Sequence, residues 1–531
     1  LGRLPERKQK LEKPLKAFVL ILTISLPLIL SSFLYSNYQT TASSFDALSH
    51  LYIAKNVIHN GEKSGIRNLG TVWLPLYHIC LLPFVFFNQL YFSGFAGTIL
   101  GVALLFFSTL IIFRFLSFPE NIFSAFLFIS HPYLLISAIS PMTEILAIFL
   151  FLFTAYQFHR FLERGKGIVP LIIGVILGTL TRYEFYPIPF LLLPFLISRL
   201  RKTGSWLRLL IFSFLPFLGI VFWFFWNHLL FSDPMFFFHH PVTEGTVGRL
   251  PYSYSWRKVL SLNFALLKEL FGIIPFFSLF GIFLLIGKKR VDLLFPFLFL
   301  IVPSLTHLLL AYHNISLLYA RFFLLSFSGL ILLAFIPIKE IFSKKPIFSY
   351  LFPLVILFLY LPTLIANYSI IRTGKNHYGD KIPIPDLDID YPKVSNHLKI
   401  PQNFFSDMEI SSARILIPFN QEFQSISFAL HLTPERIFDP YDDDLILRIM
   451  EKPQDFCNFL LLPTEPTPFC IRFREYYKGK YFVLSFWEDA KYHRMVLTNF
   501  SLVKESKGLR LYKKKRYLLS LSRSALLCPE G

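Results

Sequence analysis

Charge is what this chain lacks most. Asp, Glu, Lys and Arg make up 16% of its 531 residues, while 54% are hydrophobic. A soluble chain of this length would carry far more charge. Cysteine is scarce too, at four residues, so a dense disulfide framework is excluded. Of the four, Cys80 lies in an apolar run, Cys528 in a tail, and Cys457 and Cys470 in the C-terminal region, where they are candidates to pair if that compartment is oxidising. No Gly-rich phosphate loop, no Gly-x-Ser-x-Gly and no metal-ligand spacing occurs. The net charge of +19 comes without zinc-finger spacing or a basic helix interleaved with aromatics, which argues against nucleic acid.

What the chain has instead is long apolar runs, such as Ala17 to Leu34 and Leu209 to Leu230. Crossing a bilayer core takes about 20 apolar residues, and only a helix satisfies its own backbone across such a run in lipid. The sequence predicts a polytopic α-helical membrane protein with about 11 transmembrane helices. The predicted spans are 16–36, 92–113, 121–139, 144–161, 168–181, 185–199, 207–231, 262–286, 292–312, 317–337 and 347–367. The first follows a basic segment but is too long for a signal-peptide core, so it reads as a retained helix.

Lys and Arg gather in alternate loops, at Arg114, at Arg160, Arg164 and Lys166, at Arg199, Arg201, Lys202 and Arg208, at Lys288, Lys289 and Arg290, and at Lys339, Lys344 and Lys345. The turns near Glu144 and His313 carry none. The positive-inside rule then puts the N-terminus in the cytoplasm, provided that Trp73 to Tyr91, broken by Pro75, His78 and Pro83, does not cross. The first loop 37–91, the loop 232–261 and everything after about 368 face outside. The transmembrane part is expected at 1–370 and a small extracytoplasmic α/β domain at 371–531. In that domain Arg414 to Pro418, Arg436 to Phe438 and Cys457 to Leu462 read as strands. Glu422 to Leu432 and Leu445 to Met450 read as helices. Phe500 to Glu505 and Leu509 to Lys513 read as a hairpin around Lys507-Gly508.

The outward-facing ends carry the candidate chemistry. Asp46 and His50 in the first loop are four apart and would share a helix face. A carboxylate there can take a proton from an attacking hydroxyl; equally, Asp46 can be a helix N-cap. Glu144 opens a predicted helix, where it either favours the helix dipole or serves the site. Arg182 and Glu184 can pair with each other or with groups of the first loop. Arg321 sits just inside an apolar run and needs a partner or an anion, and its donor fork suits phosphate oxygens; it can also snorkel to the headgroups. His313, on the adjoining turn, can assist it. Asp46, His50, Glu144 and Asp233 could offer ligands to a divalent metal, but no ligand motif supports one and no cofactor is implied.

Taken in order, these pieces resemble the GT-C superfamily of membrane glycosyltransferases, in particular the branch of protein O-mannosyltransferases and the aminoarabinose transferase of lipid A. Asp46 lies where that family has an acid in its first outer loop, although Ala47 stands where many members have a second acid. Trp73-Leu74-Pro75-Leu76-Tyr77-His78 resembles the interfacial segment before the second helix. Thr181-Arg182-Tyr183-Glu184 is similar to a "TRYEG" string, with Phe185 for Gly. Asn227 to Pro234 resembles an "N…FGDP" string, with Ser232 for Gly. Tyr319-Ala320-Arg321-Phe322 resembles an "RY" signature whose Arg is associated with the carrier phosphate. The resemblance covers about residues 16–370.

It implies an inverting hexosyl transfer from a polyprenyl-phosphate carrier to a lipid, glycan or protein acceptor on the outer face of a membrane, the bacterial inner membrane for this branch. Asp46 would be the base, and Glu144, which matches an acidic residue common in that family's second outer loop, is the other catalytic candidate. His50, Arg182, Glu184, His313 and Arg321 would bind substrate. A flippase for lipid-linked sugars would share the groove and the Arg but should show repeats. A polymerase or ligase of lipid-linked glycans would lean on outer Arg and His.

Overall fold

The computed structural model describes residues 6–58, 66, 69, 73–201, 206–239, 255–312, 320–342 and 346–373 of a first unit, and 415–416, 455, 458–463, 497–506 and 509–515 of a second. The two units are 1–396 and 397–531. The first is a polytopic α-helical membrane protein. Among the described residues five helices are long and apolar enough to cross a membrane, and three bent pairs raise that number to as many as eight.

Helix α1 (Glu6–Tyr38) is followed by α2 (Phe45–Ile58), α3 (Leu76–Val85) and α4 (Asn88–Ser93). Helix α3 has ten residues, a rise of about 15 Å, half of what a bilayer core needs. The segment before α5 (Phe95–Phe115) therefore folds as short pieces. Lys55 of α2 holds them down: its buried ammonium donates to the carbonyls of Val85 and Phe86 at the end of α3, at 2.7 and 3.3 Å, and to Asn88 Oδ1 at 2.7 Å.

Helix α5 packs hard against its neighbours because two glycines let backbones touch. A Cβ on Gly101 would stand 1.9 Å from the carbonyl oxygen of Ala138, and one on Gly97 2.4 Å from Pro141 Cα. Small residues four apart are how membrane helices approach when lipid supplies no hydrophobic drive. Gly101→Ala is expected to cost about 1–3 kcal/mol by overpacking, read as a lower thermal midpoint in detergent.

Three predicted spans are bent. Helices α6 (Glu120–Ser130) and α7 (Pro132–Ile139) meet at 66°, where Pro132 ends the first hydrogen-bond ladder. After α8 (Thr143–Arg164), α9 (Ile168–Thr179), α10 (Pro187–Leu200), α11 (Trp206–Phe214), α12 (Leu218–Phe231) and α13 (Phe236–His239) comes the sharpest break. The expected single span 262–286 is instead α14 (Trp256–Phe271) and α15 (Ile274–Gly287), bent by 101°. Gly272 makes the corner at φ +53°. The break frees the Leu270 carbonyl, and three side chains take it up: His131 Nε2 at 3.1 Å, Asn367 Nδ2 at 3.1 Å and the Tyr360 hydroxyl at 3.4 Å. Buried side chains thus replace the lost backbone partner, as a break in an apolar bundle requires.

The predicted span 292–312 is α16 (Val291–Phe299) and α17 (Val302–Tyr312), bent by 42° up to Leu310. The last part holds α18 (Ala320–Leu324), α19 (Phe327–Phe342) and α20 (Pro346–Thr373). The expectation of eleven spans counted 168–181 and 317–337 as crossings. The helices found there, Ile168–Thr179 and, within 317–337, Phe327–Ile336, fall among the shorter apolar ones.

In the second unit the described strands β1 (Ile415–Leu416), β2 (Phe459–Pro463), β3 (Phe500–Ser506) and β4 (Leu509–Lys514) form one sheet in the order β1-β2-β4-β3. Strand β1 runs parallel to β2, and β3 and β4 pair antiparallel from Ser506–Leu509 outward, which is the predicted hairpin. The predicted helices 422–432 and 445–450, the strand 436–438 and Cys457, Cys470 and Cys528 lie outside the described residues.

Candidate active site

Helix α2 starts where the chain turns after α1. Ser43 is pinned to Ser140, backbone N and Oγ both 2.9 Å from Ser140 Oγ. Ser44 Oγ accepts from Ala47 N at 3.2 Å, so Ser44 is the N-cap of α2. Asp46 lies inside the first turn and the capping role is already filled. Its carboxylate Oδ2 meets Arg321 Nη2 at 2.6 Å, across 275 residues of sequence.

From that contact a row of alternating charges runs into the bundle. Arg321 Nε lies 3.7 Å from Glu144 Oε1. Glu144, 1% exposed in the first turn of α8, accepts from Arg182 Nη1 at 2.9 Å. The same Nη1 donates to Thr143 Oγ1 at 2.9 Å. Arg182 Nε and Nη2 both donate to Glu184 Oε1, at 3.0 and 2.7 Å. The last member is His307 of α17, with Nε2 2.6 Å from the same Glu184 oxygen. Burial alone would raise the Glu184 carboxyl, but Arg182 and His307 more than offset it and hold it well below the usual carboxylate range. Phe322 lies among these groups. His307 stacks on its ring at 4.2 Å, and the Arg182 and Arg321 guanidinium carbons lie 5.0 and 5.2 Å from its centroid.

The turn that carries Arg182 and Glu184 is a short 3-10 helix, Tyr183–Phe185, between α9 and α10. Phe185 is buried and stacks on Phe151 at 3.7 Å. Gly178 leaves the room, since a Cβ there would lie 2.2 Å from the Phe185 ring. That packing accounts for Phe185 in place of the glycine of the family string. Ser232, the other replacement, ends α12 in the left-handed conformation at φ +58°, where glycine is the usual choice.

His50 follows Asp46 by one turn of α2 and faces α3. Its Nδ1 is 3.0 Å from His78 Nε2, and both rings are buried. Trp73 and Tyr77 turn their rings toward His50 edge to face at 5.4 and 5.6 Å. Burial lowers His50 to about 4 against the opposing pull of Asp46 and Glu144, and burial, with His50 beside it, lowers His78 well below the usual imidazole range. Across this contact one ring donates and the other accepts.

The structure thus brings Asp46, Glu144, Arg182, Glu184 and Arg321 together and sets His50 beside them. His313 lies outside the described residues. Asp233 Oδ1 accepts from Met235 N at 2.8 Å in an Asx turn. Among the described residues no three His, Cys, Asp or Glu side chains gather as a metal site. Sequence reasoning missed His307 and the His78 partnership. His307 was open to discovery as an ionisable group in an apolar run.

No known family profile and no curated protein sequence matches the chain. Solved structures do. ArnT from Cupriavidus metallidurans bound to undecaprenyl phosphate is similar with TM-score 0.53 at 10% identity, over 96% of this chain and 99% of that one. The archaeal oligosaccharyltransferase AglB from Archaeoglobus fulgidus, in complex with an inhibitory peptide and a dolichol-phosphate, is similar with TM-score 0.50 at 12% identity, over 97% of this chain and 75% of that one. At such identities the likeness is one of fold, and the fold of this chain is that shared by these two structures.

Proposed function

We propose that this protein is a glycosyltransferase that moves a sugar from a polyprenyl-phosphate carrier to a hydroxyl acceptor at a membrane surface. The observation that carries this reading is the Asp46–Arg321 contact at 2.6 Å, a carboxylate and a guanidinium from distant parts of the chain on one partly exposed site. The side chains there are 34% and 17% exposed, so ligands can reach them while the rest of the row is buried. The two structural neighbours carry undecaprenyl phosphate and dolichol-phosphate, which fits a lipid-phosphate donor.

In this reaction Arg321 receives the carrier phosphate through its donor fork. Asp46 accepts the proton of the acceptor hydroxyl as that oxygen bonds to the anomeric carbon. The bond from the anomeric carbon to the phosphate oxygen breaks, and its electron pair leaves with the phosphate, with inversion at carbon. Stabilising that leaving charge is the largest protein contribution. Glu144, Arg182 and Glu184 keep Arg321 and Phe322 in place, and His50 lines the base. The base side of the site faces outside, with the N-terminus in the cytoplasm, as the loop charges support.

Incubating the purified protein in detergent with polyprenyl-phosphate sugars and an acceptor extract tests this. Release of free polyprenyl phosphate together with a glycosylated product is expected. Movement of the intact donor across vesicles without release would replace this reading with a flippase.

A further inference from the structure

Beside the charged row stands an aromatic cluster that the proposed reaction leaves unused. Leu74, Trp223 and Phe237 form its buried centre, and Tyr183, Tyr186, Phe224 and Trp226 pack against it. It adjoins the site at two points. Tyr183 is the residue between Arg182 and Glu184, and Leu74 follows Trp73, whose ring lies against His50. Phe237 fills the middle, nearly parallel to Tyr183 at 5.2 Å and to Phe224 at 5.8 Å.

An aromatic cluster is ordinarily core, and a core keeps its polar tips bonded. This one does not. The Tyr186 hydroxyl, Trp226 Nε1 and Asn227 Oδ1 are buried without a hydrogen-bond partner. Asn227 is wholly buried, one turn from Trp223, and its Nδ2 is already spent on the Trp223 carbonyl at 2.9 Å. The Tyr186 hydroxyl, Trp226 Nε1 and Asn227 Oδ1 thus stand unsatisfied on residues of the cluster or next to it in sequence. Each such group carries the desolvation cost of a lost partner. A prenyl chain would pack on the rings and leave all three unbonded. A sugar presents apolar C–H faces for the rings and hydroxyls that can both give and accept.

We infer that the Tyr183–Tyr186–Trp223–Trp226–Asn227 cluster is a sugar-binding subsite, entered when a pyranose-sized ring displaces Phe237. The sugar's hydroxyls take up the Tyr186 hydroxyl, Trp226 Nε1 and Asn227 Oδ1. This deepens the proposed reaction and rests on it, since the subsite flanks Arg182 and Glu184. The ring held there is either the sugar carried by the donor or a sugar of the acceptor.

Tyr186→Phe and Trp226→Phe test it because each removes a polar tip and keeps an aromatic face. Binding of the glycosyl-polyprenyl phosphate, of sugar-free polyprenyl phosphate and of the acceptor glycan is measured for each variant, along with thermal midpoints. A donor-sugar subsite predicts about tenfold weaker binding of the glycosylated carrier, with sugar-free carrier unchanged. An acceptor subsite moves the same loss to the acceptor glycan. In both cases the ligand-free Tyr186→Phe variant melts no lower than wild type, since an unsatisfied group has gone. Unchanged affinity for both sugar ligands, or an equal loss for sugar-free carrier, overturns the subsite. Failure of wild type to bind any carrier lipid would instead sink the proposed reaction itself.

Discussion

Asp46→Asn is expected to cut sugar transfer about a thousandfold while tightening the hold on sugar-free polyprenyl phosphate about tenfold. The two effects have one cause. The amide keeps the size of the carboxylate and can still accept from Arg321 Nη2, now 2.6 Å from Asp46 Oδ2. It cannot accept the acceptor's proton, so turnover stops. It also no longer neutralises the guanidinium, so an incoming phosphate meets a fuller positive charge. In the resting protein Asp46 and the carrier phosphate compete for the same Arg. A carboxylate clamped by Arg is a weak base. Donor binding draws Arg321 to the phosphate and frees Asp46 to act, so donor should precede acceptor. Single-turnover release of polyprenyl phosphate and equilibrium binding in detergent read both halves. Arg321→Gln should do the reverse for binding. Full activity of Asp46→Asn would remove the base from the mechanism, and unchanged carrier affinity would remove the competition.

How much of this was legible in the sequence depends on what each residue's signal was. Asp46, Glu144, Arg182, Glu184 and Arg321 stood out because charge in an apolar chain is costly and needs a reason. The structure gathers them in one row. His307 escaped because the run 302–312 reads as an apolar helix with one histidine, and nothing nearby in sequence points to Glu184. The His50–His78 pair escaped for a similar reason: the register of α2 on α3 is a tertiary fact, settled partly by Lys55 gripping the end of α3. The break at Gly272 had only a weak mark, since hydropathy stays high on both sides. What permits the corner is His131, Asn367 and Tyr360, two of them about a hundred residues away, converging on the Leu270 carbonyl. Periodicity and composition describe a segment; partners that arrive from elsewhere in the chain leave no trace in it.

Arg182→Met should be the most damaging single change to stability, with a loss of about 3–5 kcal/mol. Arg182 is 11% exposed and bonds Glu144 and Glu184, whose side chains are 1% and 5% exposed. Met fills much of the same volume, so packing changes little. Two buried carboxylates, however, lose their shared counter-charge, and among the described residues the basic groups paired with them are then Arg321 and His307, at 3.7 and 2.6 Å from one oxygen each. The origin of the loss can be separated from packing by a further variant. Glu144→Gln and Glu184→Gln added to Arg182→Met remove the charges that were left stranded. If charge is the cause, the triple variant should regain most of the thermal midpoint in detergent, although it transfers no sugar. If the triple variant melts as low as Arg182→Met alone, the loss came from shape around Phe322, and the row of charges is not what holds this end of the bundle together.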